Sequence, residues 1–162
     1  MDAAYNLARW LTRNDQDARD VVQDSMLRAY RFFDGLRGEA RPWLLALVRN
    51  ACMTWLKANR PAELAGYDPS APELEVADEE TPESLALRAG DRRTLNEALA
   101  ALPAHFREAR ILREMEDLSY KDLARISGAP IGTVMSRLAR ARRLLAASLH
   151  AIANASAAKV AE

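Results

Sequence analysis

Four arginines, Arg137, Arg140, Arg142 and Arg143, fall within seven positions of the stretch SYKDLARISGAPIGTVMSRLARARRLL, Ser119 to Leu145. Guanidinium groups at that density can hold phosphates or pair with the O6/N7 edge of guanine. They can also simply solvate the C-terminal part of a helix, with a benefit from its dipole. A merely solvated face usually mixes both signs, yet no acid occurs from Ile131 to His150. The anion-binding reading is therefore preferred. Other chemistry-bearing residues are sparse. The single cysteine, Cys52, lies within an apolar-periodic segment, where a buried inert thiol is expected rather than a nucleophile. His105 and His150 lie far apart without an evident paired acid, and two histidines with one cysteine give a zinc ion no ligand cluster. The segment GAPIGT lacks the lysine of a phosphate-binding loop and does not follow a strand, so its glycines read as turn chemistry. The residues thus predict no enzyme, no catalytic residue, no metal and no cofactor.

The elements that position the arginines are legible from the same stretch. Ser119, followed three residues later by Asp122, resembles a capping box, with Leu118 as its hydrophobic staple. A short helix from Tyr120 to Ile126 is expected to stop at Gly128, and Pro130 to start a long one with its core stripe at Val134, Leu138, Ala141 and Leu145. Two helices joined by a tight glycine-containing turn are the helix-turn-helix arrangement, whose second helix can enter the major groove of a duplex. At about 100° per residue, its outward side collects Ser136, Ala139, Arg140 and Arg143, flanked by Thr133, Met135 and Arg137. Small residues near the helix start let bases approach. Met135 can add an apolar contact to a thymine methyl.

The rest of the chain is organised around an acidic middle. Of 162 residues, 49% are hydrophobic and only 6% aromatic, a composition that favours helices packed on small and aliphatic side chains. An all-α protein is expected. The formal net charge is zero, but residues 1–61 carry ten basic and seven acidic side chains, residues 62–91 one and nine, and residues 92–162 twelve and seven. Fields are local once salt screens them beyond about 10 Å, so two basic blocks flank an acidic connector. The segment RPAELAGYDPSAPELEVADEET, with three prolines and no sustained apolar period, reads as a flexible linker. Each flanking block is small enough to have a marginal core by itself. A single cysteine, the lack of a leader pattern and the lack of an apolar run of spanning length make the cytoplasm the expected compartment, without membrane insertion.

In the first block, Asp15 to Phe33 carries apolar residues Ala18, Val22, Met26, Ala29 and Phe33 at steps of three and four, with Asn14 or Asp15 as cap. A second stripe on that segment holds Asp17, Asp20, Asp24, Arg28 and Arg31. After the break at DGLRGE, a helix from about Arg41 to Asn59 is expected to bury Leu44, Leu47, Val48, Ala51 and Trp55 and to leave Asn50, Met53, Thr54 and Lys57 outside. That face has one charge, which is unusual for a solvated surface. Trp43, Trp55 and Phe33 are expected in the core. In the second block, Thr81 and Pro82 are expected to open a helix running to about Leu102.

DARDVVQDSMLRAYRFF, LRGEARPWLLALVRNACMTWL, an acidic proline-rich spacer and LPAHFREARILREMEDLSYKDLARISGAPIGTVMSRLARAR, in that order, resemble the extracytoplasmic-function sigma factors of bacteria over residues 3 to 145. The resemblance implies two small helical domains: region 2 at residues 1–60 and region 4, with the helix-turn-helix, at 82–150. A linker at 61–81 and a tail at 151–162 complete the division. It also implies a function, guiding RNA polymerase core to promoters. Asp20, Gln23, Asp24 and Arg28 would meet the β′ clamp helices, with further contacts to the β subunit. Arg37 and the face of Asn50, Thr54 and Lys57 would recognise and melt the minus-10 element. Thr133, Met135, Ser136, Arg137, Arg140 and Arg143 would bind the minus-35 element. An anti-sigma factor is the further partner implied. The chain starts later than such proteins usually do, so a shortened first helix is expected. The alternative reading is an adaptor that mimics a sigma factor and binds its inhibitor without touching DNA. A one-component regulator fits less well, because no ligand domain is evident.

Overall fold

The computed structural model describes residues 2–65 and 92–161, which form helices and turns without a strand. The expected linker beyond Ala65 and the expected helix start at Thr81 and Pro82 lie outside the described residues. The first helix, α1 (Asp2–Thr12), buries Ala4, Leu7, Ala8 and Leu11, each at most 1% exposed. Arg13, at φ 58°, turns the chain, and Asn14 caps α2 (Asp15–Phe32) by accepting from the N–H groups of Gln16 and Asp17 at 2.9 and 3.0 Å. Of the two expected caps, Asn14 and Asp15, it is the first that serves. Ala18 and Val22 are buried as the spacing predicts, but Phe33, in the following 3-10 turn Phe33–Gly35, is 58% exposed. The reason is length. At about 1.5 Å per residue, α1 is too short to cover the last turns of α2, so among the described residues that end meets only the start of the next helix across an open pocket.

The helix α3 (Ala40–Asn59) has Pro42 in its first turn. Its buried line is Leu45, Val48, Cys52 and Leu56. Leu44, Leu47, Ala51 and Trp55, expected inside, are only half-buried, and Met53, expected outside, is half-buried against the core. Burial is spread around α3 because helices of both halves of the chain pack against it. No local period reports a neighbour seventy residues away.

In the second half, α4 (Arg92–Ala101) turns at Pro103 into α5 (Ala104–Arg110), which continues as a π-helical turn over Ile111–Met115. Asp117, at φ 50°, redirects the chain into α6 (Tyr120–Ser127). Ser119 caps it, accepting from the N–H of Asp122 at 3.1 Å, while the Ser119 hydroxyl donates to the Asp122 carboxylate at 3.0 Å. Gly128 closes α6 at φ 66°, a left-handed conformation that costs glycine nothing. The last helix, α7, runs from Ile131 to Val160. All four predicted core positions, Val134, Leu138, Ala141 and Leu145, are buried. The helix continues ten residues past His150, and Leu149 and Ile152 pack with Ala98 of α4.

One apolar cluster spans both halves, while two smaller ones, Ala98 with Leu145 and Leu149, and Leu102 with Phe106 and Ala141, lie wholly in the second half. The shared cluster contains Leu7 and Leu11 of α1, Val21 of α2 and Val48 and Cys52 of α3, together with Ile111, Leu112, Leu123, Ile126 and Val134 from the second half. At about 25 cal/mol per Å² of apolar surface, sharing a cluster gives two small blocks burial that neither could achieve alone.

Candidate nucleic-acid interface

On α7 the most exposed line begins at Ile131 and Met135, 47% and 51% exposed, and continues through the exposed Ala139 and Arg142. Thr133, Ser136, Arg140 and Arg143 are half-buried beside it. Arg137 differs from the expectation, being only 8% exposed. It lies three positions after Val134 and one before Leu138, so the same turn that buries those aliphatics carries it toward α5. Arg142 was absent from the sequence-derived contact set. The signal that could have found it is its spacing of three and seven from Ala139 and Met135.

On α3, Asn50, Thr54 and Lys57 are all exposed at helical steps of four and three, and the Thr54 hydroxyl donates to the Asn50 carbonyl at 3.0 Å. The Asn50 amide oxygen accepts from Arg49 at 3.3 Å. Arg37 is exposed in the loop before α3. The adjacent Gly38 has φ +94°, where a side chain would be strained. This surface mixes an amide, a hydroxyl and one ammonium, groups suited to a base that has left its stack. The exposed aromatics at the end of α2, Tyr30 at 87% and Phe32 at 64%, were not anticipated. They have a visible signal in the sequence, since Arg28, Arg31 and Arg37 interleave with them as in single-strand platforms.

Asp20, Gln23, Asp24 and Arg28 are exposed on α2, opposite the buried Ala18, Val21, Val22 and Ser25. Gln16 donates to Asp20 at 3.1 Å, and Ser25 donates to the Val21 carbonyl at 2.7 Å. The face is therefore a regular charged stripe on a helix held firmly from behind.

Between the halves lies a second concentration of charge that the sequence did not reveal. Arg49 of α3 binds Glu108 of α5 through two contacts, 2.6 and 3.4 Å. His105 sits one turn before Glu108, its Nδ1 3.9 Å from the carboxylate. The cavity lined by His105, Glu108, Ser127 and Arg137 is only about 10 Å³, too small for any ligand larger than one water. Burial pushes the His105 pKa down to about 4, and Arg137 of α7 and Arg49 of α3 add to that effect. Because the folded pKa lies below the ordinary value of 6.5, the unfolded chain binds the proton first as pH falls. The stabilisation from neutral His105 is complete above pH 6.5 and lost toward pH 4. Urea unfolding at pH 7 and pH 4.5 is expected to show a loss that His105→Gln reduces by up to about 3 kcal/mol. Equal losses in the two proteins would rule His105 out as the titrating group. Cys52 is fully buried, and burial raises its thiol pKa to about 12, so at neutral pH it is inert.

Among the described residues no cluster of histidine, cysteine, aspartate or glutamate could hold a metal ion, and no helix is long and apolar enough to cross a membrane. The sequence family described as Sigma-70 region 2 matches residues 1–61, and Sigma-70 region 4 matches residues 92–145. The chain is 36% identical over 147 residues to the ECF RNA polymerase sigma-E factor of Haemophilus influenzae, covering 86% of this chain and 77% of that protein. It is 35% identical over 141 residues to the RNA polymerase sigma-H factor of Pseudomonas aeruginosa, covering 80% and 72%. Among solved structures, the sigma factor RpoE of Bartonella quintana, in complex with the anti-sigma factor NepR, superposes with a TM-score of 0.67 at 28% identity, over 91% of this chain and 90% of that one. CnrH, in complex with the cytosolic domain of CnrY, shares the fold with a TM-score of 0.63 at 24% identity, over 92% and 81%.

Proposed function

Because the chain belongs to the extracytoplasmic-function RNA polymerase sigma factors, it directs RNA polymerase core to promoters, and we propose that it divides that work among three exposed helix faces. The carrying observation is that two matched regions follow one another on one chain, each presenting exposed polar groups of the kind its task requires. Residues 1–60 serve as region 2 and residues 82–150 as region 4, joined by the acidic linker at 61–81. Asp20, Gln23, Asp24 and Arg28 on α2 dock on the β′ clamp helices. Arg37, Asn50, Thr54 and Lys57 hold and open the minus-10 element. Thr133, Met135, Ser136, Arg140 and Arg143 on α7 contact the minus-35 element, and Arg137 joins them once it leaves the buried position described above.

Neither DNA element needs to be bound tightly, since a chain that engages both gains from effective concentration. Bond making in RNA belongs to the polymerase, and the sigma factor is a non-enzymatic initiation factor acting where the polymerase is, in the cytoplasm. We infer an anti-sigma partner as well, because the RpoE relative is bound by one. The adaptor reading is disfavoured by the arginine-rich recognition helix, which a protein that never touches DNA has no reason to carry.

Run-off transcription with purified core polymerase on genomic fragments tests the function and finds a promoter together. Failure of the chain to associate with core would overturn the reading. On a promoter so found, Asn50→Ala combined with Lys57→Ala is expected to lower permanganate reactivity of the melted thymines by about tenfold or more, with core binding unchanged. Unaltered reactivity would remove this face of α3 from melting.

A further inference from the structure

The first two turns of α7 offer solvent no exposed charge. Four arginines and no acid occur between Ile131 and His150, yet none of the four precedes Arg137, and Arg137 is 8% exposed. The exposed side chains of these turns are therefore apolar, Ile131 at 47% and Met135 at 51%, and the exposed Ala139 is next on the same line. Exposed apolar side chains scattered singly are ordinary. Three at successive steps of four are not scattered, and they begin where the second helix of a helix-turn-helix brings its N-terminal residues to base edges.

Gly132 points the same way. It lies in the first turn of α7, is not among the glycines at positive φ, and a Cβ built on it would meet nothing within 4 Å. Neither its conformation nor the packing around it calls for glycine, which supports a helix less well than alanine. What glycine provides there is room for a surface outside the chain to come close to the backbone. Charge says what kind of surface. Arg140, Arg142 and Arg143 follow on the next turns without an acid among them, so the match is a polyanion that presents apolar groups between its charges. The major groove of a duplex is such a surface, with phosphates along its walls and the C5-methyl of thymine as its apolar, base-specific group.

We propose that Ile131 and Met135 are specificity determinants that read thymine methyl groups in the minus-35 element, with Gly132 admitting the duplex and the arginines of the later turns holding its phosphates. This names what the recognition helix reads and rests on the sigma-factor reading. A methyl contact separates thymine from cytosine, which carries no group at that position. The β-branched Ile131 has few rotamers and fixes its contact, whereas the unbranched Met135 can adjust to the base it meets.

Replacing thymine by deoxyuridine removes the methyl and leaves base pairing intact. On a promoter found by run-off transcription, binding of holoenzyme is measured with each minus-35 thymine, on either strand, replaced in turn. At one or more positions the wild type is expected to bind about fourfold more weakly, the factor for one buried methyl group. Ile131→Ala and Met135→Ala are each expected to abolish the difference at one such position. A wild type indifferent to every replacement overturns the proposal, and a variant that keeps every difference overturns the role of that residue. Gly132→Ala is expected to retain the helical circular dichroism of the wild type and to weaken binding of the unmodified promoter. Unchanged binding overturns the close approach at this face. Lost association of Met135→Ala with core polymerase, without any methyl dependence, would assign the apolar line to a protein surface and overturn its contact with DNA. Should the wild-type chain itself fail to bind core, the sigma-factor reading falls and the methyl contact is judged separately. The full chain then selects duplexes from a random library, and the same replacements are made in what it selects. Selection of no sequence overturns the contact as well.

Discussion

Replacing Arg107 by alanine is expected to destabilise the folded chain by about 3–5 kcal/mol, the range for removing one partner of a buried ion pair. The size follows from how much one guanidinium satisfies. It donates to the carbonyls of Ala100 and Leu102 at 2.9 and 2.7 Å, which close the end of α4. It also donates to the Leu11 carbonyl at the end of α1 and to the Glu63 carboxylate in the turn Pro61–Leu64. Burial lowers its pKa and the adjacent Glu63 opposes that shift, so the charge is retained at a desolvation cost its partners offset. In Arg107→Ala three carbonyls and a carboxylate lose a donor together, and unfilled volume adds to the loss. For a chain of this length about 2–4 °C of Tm accompanies each kcal/mol, so thermal unfolding should move down by roughly 10 °C. A shift below about 2 °C would mean that water replaces the guanidinium without cost. Arg107→Lys is expected to recover little, since an ammonium cannot reach four acceptors in a planar fork.

Arg140→Ala combined with Arg143→Ala is expected to weaken binding of the upstream promoter element by about 2–6 kcal/mol if each contacts a base edge, taking about 1–3 kcal/mol per residue. Both lie half-buried beside the exposed line of α7, three positions apart and so on the same side of the helix. If the contacts are to phosphates instead, the loss is smaller and uniform across sequences, and the salt slope falls by about one per lost contact. Footprinting on holoenzyme, repeated at two salt concentrations, separates the cases. Unchanged protection would take both arginines out of the interface, and Arg142→Ala, on the exposed line with Met135 and Ala139, then becomes the substitution to examine. Core binding, proposed for the stripe of Asp20, Gln23, Asp24 and Arg28, should be untouched, because that stripe lies on a different helix.

The residues whose environments the sequence described correctly are those governed by nearest neighbours. Asn14 caps α2 because a short side-chain acceptor before a helix meets free N–H groups whatever the rest of the molecule does. Gly128 ends α6, and Val134, Leu138, Ala141 and Leu145 turn inward together, because a 3.6-residue period places them on one face. The polar faces of α2 and α3 were legible for the same reason. Phe33 and Arg137 were not. Phe33 is exposed because α1 ends too soon to cover it, and Arg137 is buried because α5 offers it a place beside His105 and Glu108. Both outcomes depend on the length or position of another element.

By itself the sequence determined the all-helical class, the capped helix-turn-helix and the ordered motifs of a sigma factor, since each is a matter of local spacing. Only the tertiary structure decided that the two cationic blocks share one apolar cluster, that Arg49 meets Glu108 and Arg107 meets Glu63, and that Arg137 is enclosed beside His105 and Glu108 of α5. Periodicity orients a side chain about its own helix axis. Which distant surface then arrives to cover it depends on packing across the whole chain, and on the free energy gained when two marginal cores combine.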